Sequence, residues 1–167
     1  MIIGNGNIAK VLKDRGDLIF FASGVSDSSC KDKNEYNREF NLLKQQDKNI
    51  HLVYFSNLGI YYKNDMYTNH KIKIEDFIRD NFTSYTIVRI EVCEWVNNKT
   101  TILNVFKKKL KNNEPINIID TFRYVLSLEE FLYWINLIIV GRKNEMNILG
   151  RKMKISEIVD EIKLNKL

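Results

Sequence analysis

A chain of 167 residues, 44% of them hydrophobic, can bury a core, and this length favours a single domain. The formal net charge is +5 and the pI about 9.1, with the densest basic run, FKKKLKNN, at 106–113. No aromatic residues interleave with those lysines as they do in single-strand binders. The run therefore reads first as a solvated helix face, with an anionic-ligand or nucleic-acid face as the alternative; the overall expectation is no nucleic-acid partner. Cys30 and Cys93 fit no metal-ligand spacing and read as free thiols in a reducing compartment. With His51 and His70 as the only histidines, composition argues against a zinc site.

The opening segment MIIGNGNIAK lacks the basic-then-apolar build of a signal peptide. The longest apolar run, Phe131–Val140, is too short to span a bilayer and follows SLEE, a good helix start. These features predict a cytoplasmic protein with no membrane partner.

In chain order, MII is a strand, GNGNIAKVLKDR a glycine turn and helix, and DLIFFAS (17–23) a compact buried strand closed by the loop GVSDSS. NEYNREFNLLKQQ places Tyr36, Phe40 and Leu43 at helical spacing, and HLVYFS is the next strand. A helix around HKIKIEDFIRDNF follows, with Ile72, Ile74, Phe77 and Ile78 apolar, and then the strand YTIVRIEV. TTILNVFKKKLKNN is a helix ended by Pro115, INII a short strand, SLEEFLYWINLII a helix and MNILG a strand. The closing helix, KISEIVDEIKLNKL, carries one stripe of Ile155, Ile158, Val159 and Ile162.

Such strand–helix alternation specifies a doubly wound α/β fold, a parallel sheet covered on both faces. Pro115 loosely divides a single domain of 167 residues into a nucleotide-binding core, 1–114, and a small C-terminal substrate-side lobe, 115–167.

GNGNIA has the spacing G-x-G-x-x-A at Gly4, Gly6 and Ala9, directly after a strand and opening a helix. The first glycine permits a tight turn, the second lets a pyrophosphate approach the backbone, and a small third residue lets helix and strand pack closely. The turn predicts dinucleotide binding through Gly4, Gly6, Asn7 and Ile8. The usual unit reaches an acidic residue roughly 20 residues further on, which holds the adenosine ribose. Here the next strand ends in Ala22-Ser23 without a carboxylate, so the adenosine side is shortened or built differently.

Several residues carry two readings. Ser56 and Asn57 end a strand and serve either a turn or a binding site. Arg89 lies inside a buried strand and needs an ion-pair partner or a bound anion. His70 reads as an exposed helix residue, His51 as the opening of a strand, and Trp95 and Trp134 as core or interface. Asp120, Glu129 and Glu130 read as caps or water-facing groups.

GNGNIA, FFASGVSDSS, VYFSNLGIY followed by YTNHK, VRIEV and RYVLSLEEF occur in the order seen in one known family. The chain resembles the extended short-chain dehydrogenase/reductases, the NAD-dependent epimerases and dehydratases that act on nucleotide sugars. It looks most like a shortened subgroup found among bacterial surface-polysaccharide enzymes. The resemblance covers nearly the whole chain and implies a Rossmann-like sheet with NAD or NADP as cofactor.

It further implies that Tyr67 is the acid/base exchanging a proton with a sugar hydroxyl. Lys71 would sit one helical turn on, lower the tyrosine pKa from about 10 and hold the nicotinamide ribose. Ala22, Ser23 and Gly24 would pass beside the cofactor, and Arg89 and Arg123 would fall near the phosphates of a nucleotide-sugar substrate. The chain departs from the family in three places. Asn57 stands where the family has a catalytic Ser or Thr, with Ser56 one residue earlier. The segment holding two further strands between the first helix and FFAS is absent. The glycine turn usual after Arg89 is replaced by IEVCEWVNNK. The expected function is thus an NAD(P)-dependent epimerase, dehydratase or reductase on a nucleotide sugar, with a homodimer left open as its assembly. The alternative is a non-catalytic relative that binds a sugar nucleotide or a partner enzyme.

Overall fold

The structure, a computed structural model, describes residues 1–167 apart from Asn98 and Asp120. The expectation for Asp120 therefore lies outside the described residues.

The apolar runs become strands whose alternate side chains face opposite ways. In chain order the first elements are β1 (Ile2–Ile3), α1 (Asn7–Val11), β2 (Leu18–Phe21), α2 (Lys33–Lys44), β3 (His51–Asn57), α3 (Met66–Asn81) and β4 (Tyr85–Ile90). Then follow β5 (Val92–Cys93), α4 (Ile102–Lys111), β6 (Phe122–Leu126), α5 (Leu128–Asn136), β7 (Lys143–Asn147), β8 (Arg151–Lys154) and α6 (Ile155–Lys163). A five-stranded sheet of order β1-β2-β3-β4-β7 is parallel throughout.

On one face of this sheet Leu18, Phe20, Val53, Phe55, Val88 and Ile90 pack with Phe131 and Ile135 of α5, and Ile8 and Val11 of α1 join them. On the other face Ile19, Phe21, Leu52, Tyr54 and Ile87 meet Leu43 of α2 and Ile74 and Ile78 of α3. Each fully buried side chain of this kind contributes about 1.5–3 kcal/mol, so these two layers dominate the stability of the fold. The protein is accordingly a Rossmann-like α/β sheet with helices on both faces.

The sheet is cut short on the side of β1. That strand has two residues and pairs only with β2, in the register Ile2↔Phe20 and Ile3↔Phe21. In a full dinucleotide fold the strand order reverses beside the first strand, and the adenosine half lies beyond it. Here α1 returns through residues 12–17 directly into β2, so β1 is the sheet edge.

A smaller sheet, β5-β6-β8, pairs β5 parallel and β8 antiparallel to β6. Val125 and Met153 pack there against Leu103 and Phe106 of α4 and the expected stripe Ile155, Ile158, Val159 and Ile162 of α6. A single cut at 114/115 does not describe this packing, because α4 belongs with the small sheet and β7 with the large one.

Two strand assignments shift. INII at 116–119 is not a strand; Ile118 and Ile119 are exposed, and the ladder forms at β6, where Val125 and Leu126 are buried. MNILG shifts to β7, a polar edge strand whose register on β4 (Tyr85↔Lys143 to Arg89↔Asn147) is fixed by the ladder rather than by apolar alternation.

Gly4 adopts a φ of +123°, and a Cβ there would lie 2.4 Å from the Ala22 carbonyl oxygen. Only glycine lets the chain leave β1 so close to the end of β2. Gly4→Ala should therefore cost about 1–3 kcal/mol in strain alone, read as a lowered urea midpoint; an unchanged midpoint would refute this role.

Candidate functional site

The carboxyl ends of the parallel strands open into a cavity of about 480 Å³. This is the place where open α/β sheets bind ligands, and the size suits a small-molecule site. Of the residues expected at a site, Asn7, Ile8, Ala22, Gly24, Ser56, Asn57, Tyr67, Lys71 and Arg123 line it. Gly4, Gly6, Ser23 and Arg89 do not line it. The remaining wall includes apolar side chains such as Phe55, Ile90 and Val105, together with Ser26, Ser28, Lys63, Glu91, Cys93 and the segment Thr100–Ile102 at the start of α4.

Tyr67 and Lys71 enter on α3, whose first turn is fixed by a reciprocal cap. The Asp65 side chain accepts the Thr68 N–H at 2.8 Å, and the Thr68 hydroxyl oxygen accepts the Asp65 N–H at 3.1 Å. One turn apart, both side chains fall on the buried face of the helix. Tyr67 packs with Val25 and Tyr36. No hydrogen bond to its hydroxyl occurs among the described residues.

The Lys71 ammonium uses two of its three donors on the protein itself. It donates to Glu39 Oε1 at 3.0 Å and to the Tyr54 hydroxyl at 2.9 Å, and it lies 5.6 Å from the centre of the Tyr67 ring. Tyr54 in turn donates to Glu39 Oε1 at 2.7 Å. The second oxygen of Glu39 accepts the Val25 N–H at 2.7 Å and faces His70 Nε2 at 3.1 Å. His70 is thus part of a buried polar cluster and not an exposed helix residue.

The pKa expectation for Tyr67 is reversed. Burial, and then the Glu39 carboxylate, push its hydroxyl up, not down. The Lys71 charge that was to lower it is matched by Glu39. For Glu39 itself, burial works to raise the pKa, but the Lys71 ammonium and the bonds from His70, Val25 and Tyr54 hold it well below the usual carboxylate range. Burial also pushes the Cys93 thiol up to about 12, so it lines the cavity protonated.

The residues at the end of β3 are partly spent on structure. Ser56 donates to Glu75 Oε1 at 2.5 Å. The Asn57 side-chain oxygen accepts the Gly59 N–H at 2.7 Å and caps the short turn Leu58–Tyr61. Of the side-chain donors of these two residues, only the Asn57 amide N–H groups remain for a ligand.

The two arginines separate. Arg89 bonds Glu75 through Nε at 2.9 Å and through Nη2 at 2.5 Å, reaches Glu145 at 2.5 Å and donates to the Tyr61 hydroxyl at 2.8 Å. Of its two readings the structure realises the ion pair, which takes it away from the cavity. Arg123 does face the cavity, with Nε 3.6 Å from Glu91. Glu91 also accepts from the Tyr62 hydroxyl and, at 3.0 Å, from the Tyr124 N–H.

The glycines divide in the same way. Gly4 serves the fold, whereas Gly6 has an ordinary φ of −73° and no atom within 4 Å of where a Cβ would stand. The room beside its backbone is what a close-approaching phosphate needs. A Cβ on Gly24 would come within 2.9 Å of both Glu39 Oε1 and Lys71 Nζ, so glycine lets the loop close over the ion pair. Ser23 turns away and accepts from Arg38 at 3.1 Å. Glu39 was missed by sequence reasoning, yet its signal was there: an acid at the buried phase of α2, three residues after Tyr36 and four before Leu43.

Together, the fold and the cleft define a Rossmann-like protein with a ligand cavity at the sheet's carboxyl edge. The structure is similar to WbmG of Bordetella bronchiseptica, solved with NAD and UDP, at 17% identity and a TM-score of 0.69 over 90% of this chain and 56% of that one. It is similar to dTDP-4-dehydrorhamnose reductase of Bacillus anthracis, solved with NADP, at 15% identity and 0.64, covering 89% and 62%. The capsular polysaccharide assembling protein CapF of Staphylococcus aureus matches at 18% identity and 0.60, covering 90% and 45%. The chain thus spans about half of the length of these proteins, and at such identities the likeness is one of fold. No protein-family model and no curated protein sequence matches the chain. No helix among the described residues is long and apolar enough to cross a membrane.

The depressed pKa of Glu39, and that of Glu145 at about 2, make stability depend on pH in a definite sense. Each carboxylate is protonated first in the unfolded chain, near its ordinary value of about 4.3, so its contribution is complete above that pH and lost below it. His51, whose pKa is lowered first by burial, acts in the same direction from its ordinary value of about 6.5 downward. Denaturant midpoints should be level from pH 7 to 8, fall gently through pH 6 and fall steeply between about pH 4.3 and 2. A midpoint that rises on acidification contradicts this.

Proposed function

We propose that the cleft binds the nicotinamide, ribose and pyrophosphate part of NAD or NADP and a nucleotide sugar, and that the protein is an NAD(P)-dependent epimerase, dehydratase or reductase. The observation that carries this is the convergence on one cavity of Asn7 and Ile8, Ala22 and Gly24, Asn57, and the Tyr67–Lys71 pair. Gly6 supports it, since nothing in the protein itself asks for glycine there. Bound in the cleft, the cofactor supplies hydride transfer. Tyr67, whose hydroxyl has no partner among the described residues, exchanges a proton with a sugar hydroxyl. Lys71 carries the buried ammonium beside it, and the Asn57 amide donates to a substrate oxygen. Arg123 and Lys63 offer cations to the phosphates of the sugar nucleotide.

The neighbours WbmG, solved with NAD and UDP, and CapF, named for capsular polysaccharide assembly, favour surface-polysaccharide biosynthesis as the setting. The second reading, a sugar-nucleotide or partner-binding relative without turnover, is favoured by Asn57 in place of a hydroxyl and by β1 being the sheet edge among the described residues.

Calorimetric titration with NAD(H), NADP(H) and UDP, followed by assay on a panel of nucleotide sugars, separates the two. Binding of a nicotinamide cofactor with turnover is expected, and Tyr67→Phe should bind normally while turning over about 10²–10⁴-fold more slowly. Binding of UDP with no heat at millimolar cofactor supports the second reading. An unchanged rate in Tyr67→Phe sinks the proposed acid/base.

A further inference from the structure

Glu39 has no role in the chemistry proposed above, yet it bonds to three of the segments around Tyr67, the loop after β2, β3 and α3. From α2 its two oxygens reach the β2 loop at the Val25 N–H (2.7 Å), β3 at the Tyr54 hydroxyl (2.7 Å), and α3 at Lys71 Nζ (3.0 Å) and His70 (3.1 Å). Its side chain has no exposure, and that of Lys71 has 2%. An ammonium so held has one location, and that location is 5.6 Å from the Tyr67 ring centre.

We propose that Glu39 is the positioning residue of this site: acting through Lys71, it fixes where the ammonium stands and cancels its charge at the Tyr67 hydroxyl. The acid strength of Tyr67 is then set by what enters the cleft and not by Lys71 alone. The inference rests on the reading of Tyr67 as the acid/base and extends it.

The other groups around Tyr67 bear on the charge balance. Glu39 and Tyr36 approach from α2, Asp27 from the β2 loop, Asp65 from the cap of α3 and Cys93 from β5. His70 of α3 meets the other Glu39 oxygen at 3.1 Å and the Tyr36 ring at 4.6 Å, and Lys63 and Arg123 line the same cavity. Lys71 is the cation that Glu39 holds over the Tyr67 ring. If Glu39 only braced the fold, its removal would lower stability and leave Tyr67 unchanged.

The test places a fluorinated tyrosine, whose more acidic phenol titrates while the fold holds, at position 67 of the full chain. Its ionisation is followed by ¹⁹F NMR in the ligand-free protein. In Glu39→Gln the ammonium is no longer balanced, and the midpoint should fall by about one pH unit or more. Glu39→Asp, which keeps the charge, should remain close to the parent. Lys71→Met in the Glu39→Gln background removes both buried charges and should return the midpoint to the parent value. A folded Glu39→Gln with an unmoved midpoint overturns the proposal, as does a Glu39→Asp midpoint displaced equally far. Where Glu39→Gln alone does not fold, the double variant decides, and a midpoint displaced by a full unit from the parent overturns it. Titration of the parent with NADH is a separate readout. Its failure removes the cofactor reading and leaves the result for Glu39 standing.

Discussion

One buried carboxylate organises the cavity side of this molecule. Moving an isolated carboxylate out of water costs several kcal/mol, and Glu39 offsets that cost only because its oxygens have four partners from three different elements. The loop after β2, strand β3 and helix α3 are therefore held in one arrangement, since displacing any of them strands a charge or an N–H. Gly24 belongs to the same constraint, because a side chain at that position would occupy the space of the Glu39–Lys71 contact.

A second polar network lies behind the cleft, with Arg89, Glu75, Glu145 and Arg79 linked across β4, α3 and β7. It explains how an arginine can sit at 4% exposure in a parallel strand and why a polar segment such as Lys143–Asn147 completes the sheet. Ser56 is drawn into this network through Glu75. Arg89 is withdrawn from the cavity and Ser56 is engaged with Glu75, while Tyr67, the Asn57 amide, Lys63 and Arg123 are among the polar groups that line it, with Ser26, Ser28 and Thr101.

The edge position of β1 has a further consequence. A dinucleotide needs a surface on both sides of its pyrophosphate. The described residues build one side, from the glycine turn through the β2 loop to α3 and α4. Strands β5 and β6 and the start of α4 complete the cavity wall with Val92, Cys93, Thr101, Ile102 and Arg123.

Much of this was legible in the sequence. Apolar runs at 18–21, 51–57 and 85–90 mark buried parallel strands, because side chains covered on both faces leave no polar alternation to disguise them. The stripes Tyr36/Leu43 and Ile155/Ile158/Val159/Ile162 place α2 and α6, and the gap after α1 locates the shortened side of the sheet. Sequence alone also places Tyr67 and Lys71 on one helical face. Tertiary structure decided what their charges do. Whether Lys71 lowers the pKa of Tyr67 depends on a carboxylate 32 residues away in the chain, and whether Arg89 or Arg123 faces the cavity depends on which acids the fold brings beside each. Local spacing determines which side chains share a face; electrostatic balance in a buried site is set by long-range neighbours, which no local pattern encodes.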